Sequence, residues 1–547
     1  MFSIPKIFEG KPDHPMYNVD EARKLLVKLP RQDAYKSLEE ITSWLTSVKD
    51  TPDFRPDEHV KVIMLLDETG QKIYEELLHL YLGEPHLQDF EGIHLWRGLH
   101  NFVKVLSEAY EICLDEYQQA ESKTSFFTSN LPVICVRLMR AIAEQMKIEM
   151  MHYVDVEQVA WQRLFDSYNF ALKHEISESL VFAYPRQTLH ISPERELLRP
   201  LILNISSTDT LAQDQIEVCA RIITRMVSSF DFCDSHDSDC LYYIDLARPG
   251  APGRVESGVP TSSGIRYFGA ANSVSKVADL ILQHEKEHAA QEQRFGTEFT
   301  PAGKLTVLKH LQVYWSKEHP HRHQERRTIH SAVEIAHGFN TISKLVTHMD
   351  IDNVQNISEE ESAMLKERSS ISLAAIESTV DFTTEKWPVS DVSIEGLGGT
   401  LPKDAGAWVK IGDLCGIKAE KSASWWVGTI RRFHTDEKNV YNFGIEMLAK
   451  KPLSVWLRTL GKGTEKESVW ASSSGSFGYD YTSVILLPDH NNSLANATIL
   501  MTSGGFVQDG IFEVMLGEKS RNIKLTDLLA EGEDYEQVGF QWLTHKS

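Results

Sequence analysis

The chain has 547 residues, and its 56 Lys and Arg against 78 Asp and Glu give a formal net charge of −22. A field of that sign repels polyanions, which excludes wholesale binding to DNA, RNA or an anionic membrane but permits a local basic pocket. A length so far beyond one hydrophobic core predicts two to four domains.

The N-terminal stretch, 1–235, reads as a helical bundle. Asn18 and Glu21 form a capping-box pattern ahead of Ala22, Leu25, Leu26 and Leu29, and Pro30 stops that helix. A second helix opens near Asp33, with Leu38, Ile41, Leu45 and Val48 at helical spacing. Longer helices are predicted over 56–82, 88–120 and 127–148, with no fixed-period repeat that would indicate a solenoid. Between 235 and 265 the texture changes to Gly, Pro and Ser, the composition of a loop or linker. The mixed segment 236–318 also includes a helix from about Ser273 to Gln293.

No apolar run approaches the roughly 18 residues needed to cross a bilayer. Met1 to Gly10 lack the basic start and apolar stretch of a signal peptide. Six cysteines are scattered without a CxxC pair, which suits a reducing compartment. A cytoplasmic protein without a membrane span is expected.

From residue 325 the pattern turns to strands. "AVEIAHGF" comes first, followed by an acidic, Ser-rich insert at about 350–385 that reads as exposed. Strands resume in "WWVGTIRRF", "YNFGIEMLA" and "PLSVWLRTL", then in "SVILLP", "ATILMT" and "IFEVML". The tail 461–547 is therefore expected to be a β-rich unit of its own.

Two motifs stand out. "HPHRHQERRTIH", residues 319–330, concentrates His and Arg just before a strand, and in "DVSIEG" Asp391, Ser393 and Gly396 fit D-x-S-x-x-G, with Gly398 and Gly399 close behind. At these residues the sequence resembles the PilZ domain family, whose signature is R-x-x-x-R at the barrel entrance plus [DN]-x-S-x-x-G on a strand. Arg322 and Arg326 make R-x-x-x-R in one register; in the other, Arg326 and Arg327 lead to His330 where the second arginine is expected. The resemblance covers about 320–460 and is similar to large PilZ proteins of proteobacteria with a helical N-terminal region. It implies an α+β multidomain fold: the helical bundle, a PilZ-type antiparallel β-barrel over 319–460 carrying the acidic insert, and the further C-terminal β unit.

It also implies an intracellular cyclic di-GMP receptor or adaptor, with no cofactor and no catalysis, that signals to a protein partner through its helical domain. Arg322, Arg326, Arg327 and His330 would contact phosphates and guanine, because a guanidinium presents planar paired donors to O6 and N7 or to a phosphate. Asp391 and Ser393 would read a base edge, and Gly396 would permit the turn. A degenerate PilZ scaffold that binds only protein is the alternative.

Other constellations compete. "HEKEH" at 284–288 is a literal H-E-x-x-H, in which His284 and His288 could hold zinc with Glu285 as general base. Its charged interior and polar flanks read instead as a solvated helix face. Cys233, His236 and Cys240 match no standard zinc spacing and read as a polar loop. Trp425 and Trp426 are as readily core and rim of a barrel strand as stacking platforms.

Overall fold

A computed structural model describes residues 12–83, 90–120, 123–286, 295–318, 326–354, 383–401, 406, 408–420, 422, 424–436, 440–459, 481–489, 493–516 and 519–543. The chain divides into two compact units, Met1–His321 and Arg322–Ser547.

The first unit is dominated by helices α1 (Val19–Leu26), α2 (Ala34–Asp50), α3 (Pro56–Gly83), α4 (Phe90–Gln119), α5 (Ser125–Met151), α6 (Gln158–Lys173), α7 (Pro193–Ile205) and α8 (Gln213–Met226). The caps read from the sequence are in place: the Asn18 side chain accepts from the Glu21 amide at 3.0 Å and Asp33 from Lys36 at 3.0 Å. Among the described residues α5 is long and apolar enough to cross a membrane, which departs from the expectation that no segment would be. In the fold it is the centre of the bundle, and its charged Arg137, Lys147 and Glu149 are buried beside its apolar residues.

Much of the buried charge in this unit is paired. Arg137 lies against Asp67 and Glu68, and Asp67 also accepts from Tyr110 at 2.6 Å, Gln71 at 2.8 Å and Tyr184 at 3.1 Å. A second system is a ladder across α5, α7 and α8. Arg140 pairs with Glu196, Glu196 with Arg199 at 2.7 Å, Arg199 with Glu144 at 3.3 Å, and Glu144 with Lys147 at 2.6 Å. It continues from Lys147 to Glu217 at 2.7 Å, then to Arg221 at 2.8 Å and Glu298 at 2.7 Å. Burial opposes ionisation of Glu144, but Lys147, Arg199 and Arg140 outweigh it and hold the carboxyl down to about 2.

After α8 come four short strands, β1 (Asp231–Cys233), β2 (Tyr242–Asp245), β3 (Gly253–Arg254) and β4 (Ile265–Gly269), in a sheet ordered β1-β4-β2-β3. The Gly/Pro/Ser stretch thus supplies β2 and β3 of a small antiparallel sheet whose strands are too short to show a period. Helices α9 (Ala271–Lys286) and α10 (Pro301–Tyr314) complete the unit.

The second unit holds two closed barrels. Strand β5 (Arg327–His337) leads into helix α11 (Phe339–Val354), and β6 (Glu385–Val392), β7 (Gly396–Thr400), β8 (Leu414–Ala419), β9 (Trp426–Thr435) and β10 (Tyr441–Ala449) follow. They close in the order β10-β7-β6-β5-β8-β9. The remaining strands are β11 (Leu453–Thr459), β12 (Tyr481–Leu487), β13 (Thr498–Thr502), β14 (Ile511–Leu516), β15 (Lys519–Glu531) and β16 (Tyr535–Trp542). They close as β11-β12-β13-β16-β15-β14, so the expected C-terminal β unit is itself a barrel.

Strand alternation explains how the two barrels join. On β12, Val484 and Leu486 fill the second barrel, while Ile485 and Leu487 face a shared cluster. That cluster also takes Phe339, Ile342 and Val346 from α11 and Leu414, Val427 and Ala449 from the first barrel. Polar contacts reinforce it: the Phe339 amide donates to Asp534 at 2.5 Å, and the Tyr535 hydroxyl donates to the Gly412 carbonyl at 2.9 Å. The helix α11 is a wedge common to both. The acidic insert lies largely outside the described residues.

Candidate ligand site

Strands β5 and β6 are direct neighbours, with Arg327 opposite Val392 and Thr328 opposite Asp391. The two halves of the sequence motif, some sixty positions apart, are therefore side by side. Arg326 Nη1 donates to Asp391 Oδ1 at 2.5 Å, and both side chains stay partly exposed at 36% and 28%.

Local irregularity shapes the spot. Register slips between Thr328 and Ser331, which places one extra residue at Ile329–His330 on β5, and slips again at Ser390 where β6 meets β7. Such bulges re-aim side chains at barrel rims. Along β6 the alternation that buries Trp387 and Val389 ends at this bulge, so Asp391 is not sealed in the core. Arg326, Arg327 and His330 are all exposed.

The rest of the motif builds the frame. Ser393 and Gly396 close the β6–β7 turn: the Ser393 amide donates to the Gly396 carbonyl at 2.7 Å, and the Gly396 amide donates to the Ser393 hydroxyl at 3.1 Å. A Cβ on Gly396 would sit 2.4 Å from the Ile445 carbonyl oxygen, so this glycine permits close approach to β10 as well as the turn. At Gly398 a Cβ would lie 2.8 Å from Asp391 Oδ2 and 2.9 Å from Arg326 Nη1. The missing side chain at Gly398 is the space in which the ion pair meets. Sequence reasoning noticed Gly398 without seeing this role, and the D-x-S-x-x-G pattern does not encode it.

Immediately beyond Asp391, the turn residue Ile394 lines a small cavity of about 250 Å³ with Trp426, Ser422, Ser424, Lys450 and Lys451. Trp426 has the Lys450 ammonium 5.9 Å from its ring centre, whereas Trp425 is buried at 7% exposure. The volume lies below the roughly 300–1,000 Å³ of small-molecule pockets, so it suits part of a ligand that otherwise lies on the surface.

Arg322 lies outside the described residues, as does His288 of the H-E-x-x-H pattern. His284 is buried at 4% exposure, not on a solvated face. The face reading failed there because the apolar Val277 and Ile281, two turns and one turn earlier, turn that side of α9 inward. Among the described residues no three His, Cys, Asp or Glu side chains converge as a metal site. Cys233 and Cys240 approach to 3.4 Å between sulfurs, and His236 packs edge-on to Tyr267.

Comparison with known families matches all three parts of the chain. Residues 20–235 match the N-terminal domain of the cyclic-di-GMP receptor FimW, residues 340–452 its middle PilZ domain, and residues 470–543 the FimW C-terminal β-barrel domain. No curated protein matches. Among solved structures, MrkH, described as a novel c-di-GMP dependence transcription regulatory factor, aligns at 8% identity over 30% of this chain and 74% of its own, with a TM-score of 0.14.

Proposed function

We propose, from the premise that a chain matched along all three FimW domains in order belongs to that family, that this protein is a receptor for cyclic di-GMP and not an enzyme. The observation that carries the site assignment is the Arg326–Asp391 pair on neighbouring strands of a closed barrel.

In this reading one guanine takes its place at the pair. Arg326 offers donors to O6 and N7, and Asp391 accepts from N1–H and the exocyclic amine. Arg327, two positions before the β5 bulge, and His330, within it, face the phosphates, with Arg322 joining from the preceding segment. Ser393 and Gly396 hold the turn that presents Asp391, so their part is positional. The cavity beside Ile394 would take an edge of the second base against Trp426. The helical domain passes the signal to a protein partner, and no cofactor takes part.

Calorimetric titration with cyclic di-GMP tests this reading. A dissociation constant in the roughly micromolar range or tighter is expected. Arg326→Ala combined with Arg327→Ala should abolish the heat, since each charge-assisted contact is worth about 1.5–3 kcal/mol. No heat up to about 100 μM would leave the protein-only scaffold instead.

A further inference from the structure

The helical unit contains a groove of about 1340 Å³ between α3, α5, α7, α8 and the loop 184–191. Its lining includes eight Lys and Arg side chains against five Glu, a basic surface in a protein of net charge −22. The ladder along its floor, from Arg140 to Glu298, contains four cations and four carboxylates and so neutralises itself.

The surplus is at the mouth. Lys72 on α3, Arg186 on the loop, Arg195 on α7 and Arg225 on α8 have no ion-pair partner among the described residues, and the α3 wall that carries Lys72 also presents Glu68, which is paired with Arg137, and Glu75. Lys72, Arg186 and Arg225 are exposed, and Arg225 rests its guanidinium over the Phe295 ring at 5.5 Å. The loop wall is fixed from behind, because Tyr184 donates to the buried Asp67 and lies under Arg137 at 4.6 Å. The cations are therefore carried on a framework that needs no folding step to present them.

We propose that this groove binds an acidic peptide segment of a partner protein. Its volume exceeds that of ordinary small-molecule pockets, and its concavity does not suit a flat lipid surface. Between the cations stand neutral hydrogen-bonding side chains, Gln71, Gln187, Thr224 and Ser228, which match a peptide backbone, and Leu189 offers an apolar contact at 54% exposure. Carboxylates of the incoming chain supply the negative charge that the mouth lacks. This deepens the receptor reading by giving the helical domain a docking site, but the groove belongs to the first unit and is testable without nucleotide.

The test is an array of short peptides rich in Asp and Glu, each beside a version with Lys in those positions, probed with the full-length protein in the absence of cyclic di-GMP. Acidic peptides are expected to bind at least about tenfold better than their Lys versions and to lose that advantage as salt rises from about 50 to about 500 mM. Arg186→Glu with Arg225→Glu should weaken them about tenfold, and the milder Lys72→Gln with Arg195→Gln should act in the same direction. Unchanged cyclic di-GMP affinity in both variants keeps this result separate from the nucleotide titration. Equal binding of acidic and Lys peptides, equal binding by wild type and variants, or displacement by inorganic pyrophosphate in place of any peptide binding would overturn the proposal.

Discussion

At the scale of single residues, three neighbouring glycines separate structure from recognition. A methyl at Gly399 would meet the Pro388 carbonyl oxygen at 2.0 Å and one at Gly396 the Ile445 carbonyl at 2.4 Å, both rigid backbone. Alanine at either should destabilise the barrel by about 1–3 kcal/mol, read as a lower melting temperature. At Gly398 the obstructed atoms are the ends of Asp391 and Arg326. Gly398→Ala is therefore expected to leave the melting temperature within a few degrees of wild type yet to weaken cyclic di-GMP binding about tenfold, measured by calorimetry. In the helical domain, Asp67→Ala leaves the buried Arg137 with Glu68 alone and takes the acceptor from the Tyr110 and Tyr184 hydroxyls, and a loss of about 1–3 kcal/mol is expected in a denaturant titration. The contact of Arg326 with Asp391 was legible beforehand because both belong to one recurrent signature. The bulges at Ile329–His330 and Ser390 were not, because a register slip depends on three strands at once and leaves no mark in any one of them.

Elements were read best where local chemistry decides them. Asn18 and Asp33 announce α1 and α2 because a side-chain acceptor ahead of an apolar stripe has few other uses. Strands β9 to β14 were visible as apolar and β-branched runs between turns, but that they close into two separate barrels depends on pairings between distant strands. The small sheet β1–β4 was hidden by the loops between strands of two to five residues. One element carries a pH dependence. Burial pushes the Asp413 carboxyl, just ahead of β8, up to about 7, with Glu533 and Asp534 adding to the rise and Lys410 opposing it. Between its ordinary value of 3.8 and about 7 the folded carboxyl keeps its proton while the unfolded one loses it, so stability falls as pH rises through that window and levels off above it. Asp413→Asn should flatten this slope, seen as a melting temperature that no longer drops between about pH 4 and pH 7.

On the scale of the whole molecule, the division into a helical unit and a double-barrel unit sets what melts together. Because Ile342, fully buried on α11, belongs to a cluster drawn from both barrels, Ile342→Ala is expected to cost about 2–5 kcal/mol and to raise hydrogen exchange in both at once. Exchange confined to one barrel would contradict the shared core. The basic groove of the helical domain belongs to this scale too, and sequence reading had no access to it. Its cations are spread from Lys72 to Arg225, and nothing but the packing of four separate segments makes them neighbours.

The wedge between the barrels also bears on how such a receptor can be engineered. A biosensor built by grafting the nucleotide-binding barrel alone onto a reporter would strip one flank of Phe339, Ile342 and Val346 of its cover and leave a greasy scar in water. The portable cassette is the stretch from Arg322 to the C-terminus, taken whole.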